Sequence, residues 1–367
     1  MYSSSQPNTP TIYLNGRFFS QRITGIQRYA RETVLALDKL ITNQANLGFK
    51  LKLLTPKGVC VPTFKAIEVE GYGNFQGHLW EQIDLPCRVG NELLFSFGPT
   101  GPVVKKRQII TIHDLSVYRI PEAFSRSFRL WYQLVYTVIA RRSKLTMTVS
   151  RFSAEEINQC LGVPLEKTRI STEGWQHLKL IDEDIAILKK FELENKAFVL
   201  AVSSPTSNKN FSAIVKAFKL LGSSAPHCVA AGKTDVNVFS DVGVSMESIQ
   251  PLGYITDAEL KCLYKNAACF IFPSLYEGFG IPPLEAMACG CPILAADIPA
   301  VKEVCGDSAL YFDPQRPDQL AALVQEIMAN MDLRQTLSLS GLAQAEKFSW
   351  EQGALLNLAV LKEALYL

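Results

Sequence analysis

One stretch limits what this 367-residue chain can fold into more than any other: FIFPSLYEGFGIPPLEAMACGCPILAA, residues 270–296. It opens with an apolar, aromatic run of strand length, Phe270 to Pro273, breaks at Ser274 and passes through Glu277-Gly278-Phe279-Gly280. It restarts at Pro282-Pro283 as a helix, LEAMAC, and a second apolar run, PILAA, follows at once. Strand, glycine loop, helix and strand make a βα unit of a parallel sheet. Proline suits the first helical turn because its missing N–H would be unpaired there anyway. Gly278 and Gly280 leave the loop backbone open to close approach, and with a helix N-terminus behind them they form an anion site suited to a diphosphate. Glu277 stands at the entrance of the loop and Glu285 in the first helical turn. Carboxylates beside a phosphate are unfavourable, so both are better placed to accept hydrogen bonds from neutral hydroxyls, as on sugars. Singly, each piece has a plainer reading: Glu285 as an acid favoured by the helix dipole, the glycines as a tight turn.

The length corresponds to about two domains. Hydrophobic residues make up 48% of the chain and charged ones 20%, as in an ordinary soluble globular protein. A net charge of +2 argues against dedicated nucleic-acid binding, which needs a strongly basic domain. The nine cysteines form no CxxC pair, and Cys228, Cys269, Cys289 and Cys291 sit in apolar runs. They read as small buried thiols in a reducing cytoplasm. Cys289-Gly290-Cys291 lacks a nearby His or Cys to complete a metal site, so no metal is expected there. The opening MYSSSQPNTPT has neither the basic nor the apolar region of a signal peptide, and no apolar run approaches the ~20 residues of a membrane span.

Taken in order, TIYLNG (11–16) reads as a first strand and IQRYARETVLALDKL (26–40) as a helix. Gly25 at that helix start lets a phosphate or sugar approach the backbone, with Arg28 on the first turn. A helix cap beside a solvated arginine is the equal alternative. FKLKLLT (49–55), apolar segments around 59–69 and ELLFSF (92–97) are further strand candidates. HLWEQIDLPCRVG (78–90) is helix-like until Pro86, with His78 and Trp80 as packing residues. IITIHD (109–114) is a buried-strand run, and strand C-terminal ends in parallel sheets face the ligand crevice. His113 there either reaches a substrate or serves as a structural hydrogen-bonder. FSRSFRLWYQLVYTVIARRSKL (124–145) suits a core helix with charged ends, or one resting on a membrane surface through its basic residues. TMTVS (146–150) follows as a strand, then RFSAEEINQCLG as a helix with Ser153 as N-cap and Glu156 completing a capping box. TRISTEG (168–174) closes the first sheet.

Residues 175–196 are charge-rich and read as a linker. Asp182-Glu183-Asp184 matches the DxD metal-ligand pattern, but without a preceding buried strand it reads as a solvated charge run. AFVLAVSS (197–204) starts a second sheet, and its loop PTSNKN carries Lys209 to a helix start, where a cation opposes a diphosphate. Gly232-Lys233-Thr234 ends like a P-loop, yet position 227 holds His where the first glycine belongs. SIQPLGYITDAELKCLYKNAA (248–268) is strand, turn and helix, with Thr256 or Asp257 as cap. IPAVKEVCGDSALYFDP (298–314) adds a short helix and strand, and the chain from 315 is helical.

Two glutamates separated by seven residues, written EGFGIPPLE, with ACGCP after the helix, resemble the retaining nucleotide-sugar glycosyltransferases of family 4, glycosyl transferases group 1. The resemblance implies the GT-B fold, an α/β architecture of two Rossmann-like domains with parallel sheets facing across a cleft. It implies that Glu277 contacts the donor sugar and Glu285 the nucleotide ribose hydroxyls. The loop of Gly278, Phe279, Gly280 and Ile281 would contact sugar and diphosphate through its amides. His113 would line the donor-sugar pocket, and Gly253 to Ile255 would face the nucleobase. Catalysis is thereby assigned to His113, Lys209 and Glu277, and donor binding to Gly25, Ile255, Gly278, Phe279, Gly280, Ile281 and Glu285. The family needs no cofactor beyond the nucleotide-sugar substrate and generally no metal. Its members commonly pair the loop lysine with an arginine, whereas SSPTSNKN offers Lys209 alone. Lys233 or a first-domain arginine would have to make up the missing charge.

The expected layout is an acceptor-side domain over 1–174, a linker over 175–196, a nucleotide-sugar domain over 197–348, and a C-terminal helix from 349 to 367 crossing back to the first domain. NGRF…TGIQRYA and the HD…PE segment look similar to bacterial mannosyl- or rhamnosyltransferases of polysaccharide and O-antigen assembly. They point to GDP-mannose and a saccharide or lipid-linked acceptor, with cytoplasmic, peripheral association at the inner membrane. The rival readings are a GT-B nucleotide-sugar epimerase, a phosphorylase, for which no pyridoxal-phosphate lysine site is evident, and a non-catalytic nucleotide-sugar-binding protein.

Overall fold

Runs such as Leu93–Ser96, Gln108–Thr111 and Cys269–Phe272 are buried at every position, as strands of a parallel sheet covered on both faces must be. The computed structural model describes residues 9–42, 44, 47–194, 196–203, 206–232 and 249–367. Ser204, Pro205 and Lys233–Thr234 lie outside the described residues. The chain divides into two units. The first holds the described residues up to Tyr118, then Ser125–Glu173 and Trp350–Leu367; the second holds Arg119–Phe124 and Gly174–Ser349.

Among the described residues of the first unit seven parallel strands are β1 (Thr11–Asn15), β2 (Lys50–Pro56), β3 (Glu68–Tyr72), β4 (Leu93–Ser96), β5 (Gln108–Thr111), β6 (Leu145–Thr148) and β7 (Thr168–Ile170). Their order is β3-β2-β1-β4-β5-β6-β7. The chain winds one way from β1 and the other way from β4, so the carboxyl ends of these neighbours flank a crevice suited to ligands. Asn15 pairs with Ser96 at that end.

The structure departs from the sequence expectation at two helix ends. The helix expected to stop at Pro86 runs on to Val89, through a π turn over Trp80–Asp84. Pro86 lacks the N–H that an α-helix would bond to residue 82, and the wider turn before it makes room for the ring. The helix Arg151–Leu161 is capped by Ser150, whose side chain accepts from the Ser153 amide, and not by Ser153. Ser153 instead donates its hydroxyl to the His113 carbonyl at 2.9 Å.

The C-terminal helix Trp350–Tyr366 completes the first unit and packs on the helix Gly25–Thr42. At Gly353 a Cβ would meet the Thr172 carbonyl oxygen at 2.7 Å, so any larger residue would push the helix away. Asn357 donates to Ser171 Oγ at 2.8 Å, and Arg169 grips Glu363 through two bonds of 2.6 and 3.0 Å.

Among its described residues the second unit has six parallel strands: β8 (Phe198–Ser203), β9 (His227–Gly232), β10 (Ile249–Gly253), β11 (Cys269–Phe272), β12 (Ile293–Ala296) and β13 (Ala309–Phe312). Their order, β10-β9-β8-β11-β12-β13, is that of a doubly wound nucleotide-binding sheet with its switch point between β8 and β11. Thr256 caps the helix Asp257–Asn266 in a full capping box with Glu259. The charge-rich segment beginning at Trp175 lies in this unit: Lys261 donates to the Ile181 carbonyl at 2.7 Å and Lys265 pairs with Glu183 at 3.0 Å.

Candidate active site

The two loops that leave the switch point of the second sheet are stitched together by backbone chemistry. The Leu275 amide donates to the Asn208 carbonyl at 2.8 Å. Asn210 holds a left-handed conformation, φ 51°, which asparagine tolerates better than most residues. From there its side chain donates to the carbonyls of Pro273 and Pro314 at 3.1 and 2.9 Å. Lys209 is thereby presented to Glu277, and Nζ meets Oε1 at 2.5 Å with side chains 31% and 14% exposed. The pair is anchored yet open to water.

Gly280 lies at φ +120°, a backbone state that a side chain would strain although nothing crowds its Cβ position. The helix Ile281–Ala288 starts immediately after it. Pro282 and Pro283 have no N–H, so donors aimed at an anion must come from the backbone just upstream, Gly278 to Ile281, with the dipole of the helix behind them. Phe279 packs edge-on against Phe348, ring centroids 5.7 Å apart. Ile255 is half-buried in the turn between β10 and the following helix, and Gly253 there has φ +70°.

Glu285 points inward from the same helix and is buried; because the helix starts at Ile281, it stands in the second turn and not in the first turn expected from the prolines. His177 Nε2 stands 2.8 Å from its Oε1, and the Tyr264 hydroxyl lies 3.5 Å from Oε2. Because an ionised carboxylate only accepts, the imidazole donates. Burial, then the neighbouring Glu285, drives the Tyr264 hydroxyl well above its ordinary pKa, so it stays protonated. His177 belongs to the stretch expected to be a linker; its rarity among four histidines was the one signal that could have singled it out.

Gly25 and His113 belong to the first unit. Gly25 is exposed at the start of its helix. His113 lies two residues beyond β5 and is buried. Its Nε2–H donates to the Phe97 carbonyl at 2.9 Å, its Nδ1 stands 3.6 Å from buried Glu173, and Tyr29 packs edge-on against the ring at 4.7 Å. Together these contacts fix the orientation of the ring just beyond the carboxyl end of β5. At the switch point of this sheet a second cluster forms around Glu81. Its Oε1 accepts from Asn15 at 2.9 Å and pairs with Arg17 at 3.2 Å, and His78 lies 3.4 Å from Oε2. Arg17 also donates to Thr100 at 3.0 Å.

All nine cysteines are free thiols. Burial pushes Cys289 and Cys269 up to about 12, so both stay protonated. Among the described residues no group of His, Cys, Asp and Glu side chains is placed to hold a metal. Of the DxD acids, Glu183 pairs with Lys265 and Asp184 accepts from the Ala186 amide, the behaviour of a charged surface run. Among the described residues no helix is long and apolar enough to cross a membrane.

Residues 183–341 match the family described as glycosyl transferases group 1, a span that includes Lys209, Glu277 and Glu285. The chain is 30% identical over 257 residues to the O-antigen chain mannosyltransferase B of Escherichia coli, covering 67% of this chain and 68% of that one. It is 25% identical over 319 residues to the O-antigen chain mannosyltransferase RfbU of Salmonella typhimurium, covering 83% and 87%. Among solved structures, sucrose-phosphate synthase from Thermosynechococcus elongatus superposes with a TM-score of 0.74 at 18% identity, over 97% of this chain and 99% of that one. That likeness establishes a shared double-Rossmann fold, the GT-B architecture.

Proposed function

The chain belongs to the glycosyl transferases group 1 family, and from that premise we propose that it moves mannose from GDP-mannose to a hydroxyl of a saccharide or lipid-linked acceptor, with retention. The observation that carries the reading is the Lys209–Glu277 pair spanning the two loops of the second sheet's switch point. A diphosphate arriving there competes for the ammonium, because Lys209 meets it as a charge-assisted donor. Glu277 is then left to accept hydrogen bonds from the sugar. As the bond from the anomeric carbon to the diphosphate oxygen breaks, its electron pair goes to that oxygen. Lys209, the Gly278–Ile281 backbone and the helix dipole stabilise the charge as it grows. The acceptor oxygen attacks the same face, and its proton passes to the leaving phosphate. Because Lys209, the loop backbone and the helix dipole all oppose the leaving-group charge, we take the reaction to proceed without a metal or further cofactor.

The relatives' names support mannose as the sugar and a surface polysaccharide as the product's destination. A location at the cytoplasmic side of a membrane is supported by the helix Arg126–Arg142. It buries Val135, Tyr136, Ile139 and Ala140 but leaves Leu130, Trp131 and Leu134 exposed at 62%, 48% and 60%, beside Arg126 and Arg129. An apolar strip flanked by arginines suits the surface of an anionic bilayer.

The test is incubation of the protein with labelled GDP-mannose, UDP-glucose and ADP-glucose, with and without saccharide acceptors. Transfer from GDP-mannose is expected. Release of an epimerised sugar without acceptor would make the protein an epimerase. Binding of the donors with no turnover of any would make it a binding protein, and either result overturns the proposal.

A further inference from the structure

We infer that His177 is a positioning residue for the nucleotide: its bond to Glu285 fixes the carboxylate so that the remaining lone pairs meet the ribose hydroxyls. The inference rests on the reading of Glu285 as the ribose carboxylate. A glutamate has three rotatable bonds, and from the second turn of the helix Ile281–Ala288 its carboxylate can face several ways. The 2.8 Å contact from His177 Nε2 to Oε1 selects one of them. Two oxygens offer about four acceptor positions. His177 and Tyr264 take one on each oxygen, which leaves room for two further donors, the number a ribose diol supplies.

His177 is itself held on both sides. Trp175 Nε1 donates to the Ala345 carbonyl at 3.0 Å, and Gln176 donates to the Phe348 carbonyl at 3.0 Å. The backbone between them turns tightly, with the Leu178 amide on the Trp175 carbonyl at 3.0 Å. Phe348 in turn packs on Phe279 of the glycine loop, and the helix Met331–Ala345 packs on the helix that carries Glu285. One turn of chain, Trp175–Leu178, thus braces both the carboxylate and the diphosphate loop. A merely space-filling residue at 177 would need neither the short polar contact nor the two anchors beside it.

The experiment compares GDP and UDP, each against its 2′-deoxy counterpart, by titration calorimetry. The wild type should favour the ribose form of the nucleotide it binds by about tenfold, as expected for a hydrogen bond to a charged group. Glu285→Gln should lose that preference. His177→Phe should lose it to the same degree, and the double variant should lose no more than either single one. His177→Gln, whose amide nitrogen reaches where Nε2 stands, should keep most of it, whereas His177→Asn, one carbon shorter, should not. If wild type and Glu285→Gln discriminate equally, or neither nucleotide binds, the ribose reading itself falls. If Glu285→Gln loses the preference while folded His177→Phe keeps it, the positioning role alone falls. Should His177→Phe fail to fold, equal preferences in His177→Asn and His177→Gln overturn it.

Discussion

At the switch point of the second sheet, Lys209 and Glu277 meet with side chains 31% and 14% exposed. At the corresponding point of the first sheet, Glu81 is 1% exposed and its charge is taken up by Arg17, Asn15 and His78. Strand order and winding are the same around both places. The difference is what an incoming anion would find. In the second unit the pair is screened by water, and trading one anionic partner for another costs little. In the first, removing either partner leaves a charge stranded in a low-dielectric interior. A shared strand order thus carries an open, exchangeable ion pair in one unit and a fixed internal strut in the other.

The sharpest way to break this comparison is to remove the two glutamates in turn. Glu81→Ala should destabilise the first unit by about 3–5 kcal/mol, because Arg17 loses its buried partner. Glu277→Ala should change stability by about 1 kcal/mol or less. Denaturant midpoints measure both, and equal losses would remove the distinction. Acid sharpens it further. Burial alone would raise the Glu81 carboxyl, but His78, Arg17, Asn15 and Thr100 outweigh burial and hold its pKa below the ordinary 4.5. Its stabilisation is therefore fully present above that value and is lost as pH falls through the lower folded one. The acid limb of the stability profile should shrink in Glu81→Gln.

Next in size is Lys209→Ala, which should lower turnover by about ten- to a hundredfold while leaving the melting temperature nearly unchanged. A chelator should leave transfer unaffected. Full loss with chelator, restored by Mn²⁺, together with a Lys209→Ala variant of normal rate, would overturn the metal-free mechanism. Glu285→Ala should weaken nucleoside diphosphate binding by about 1.5–3 kcal/mol, whereas Glu277→Gln should slow turnover and leave that affinity within about twofold. The smallest effect lies on the helix Arg126–Arg142. Replacing Arg126 or Arg129 should reduce binding to anionic vesicles by about 1 kcal/mol each, and the loss should fade with salt. Absence of vesicle binding at low salt would count against the membrane reading.

The alternation of strands and helices was legible because parallel strands covered on both faces become apolar runs, such as IITI and FIF, broken by glycine loops. Local rules failed where two neighbours competed. Pro86 was a stop signal until a π turn absorbed it, and of two serines three apart the earlier one took the cap. Of the candidate site, the motif with Glu277 and Glu285 was readable as a pattern, since its parts are adjacent in sequence. Lys209 was readable from its own loop, but which side chains those glutamates pair with was not. Lys209 stands 68 residues from Glu277, and His177 stands 108 residues from Glu285. Side-chain pairs of that separation leave no periodicity behind. For the same reason Glu81 passed unnoticed inside a segment read as packing, because Asn15 is 66 residues away.

The return of the helix Trp350–Tyr366 to the first unit has a consequence for how the molecule is made. Domains emerging from the ribosome tend to fold as units, amino-terminal first. Here the first unit lacks the helix that covers Ser171 and accepts Arg169 until residues 350–366 are translated, after the second unit has been synthesised. Its sheet must wait, part-covered, while the later unit assembles. A premature stop codon near residue 349 would therefore leave the second unit whole and damage the one made first.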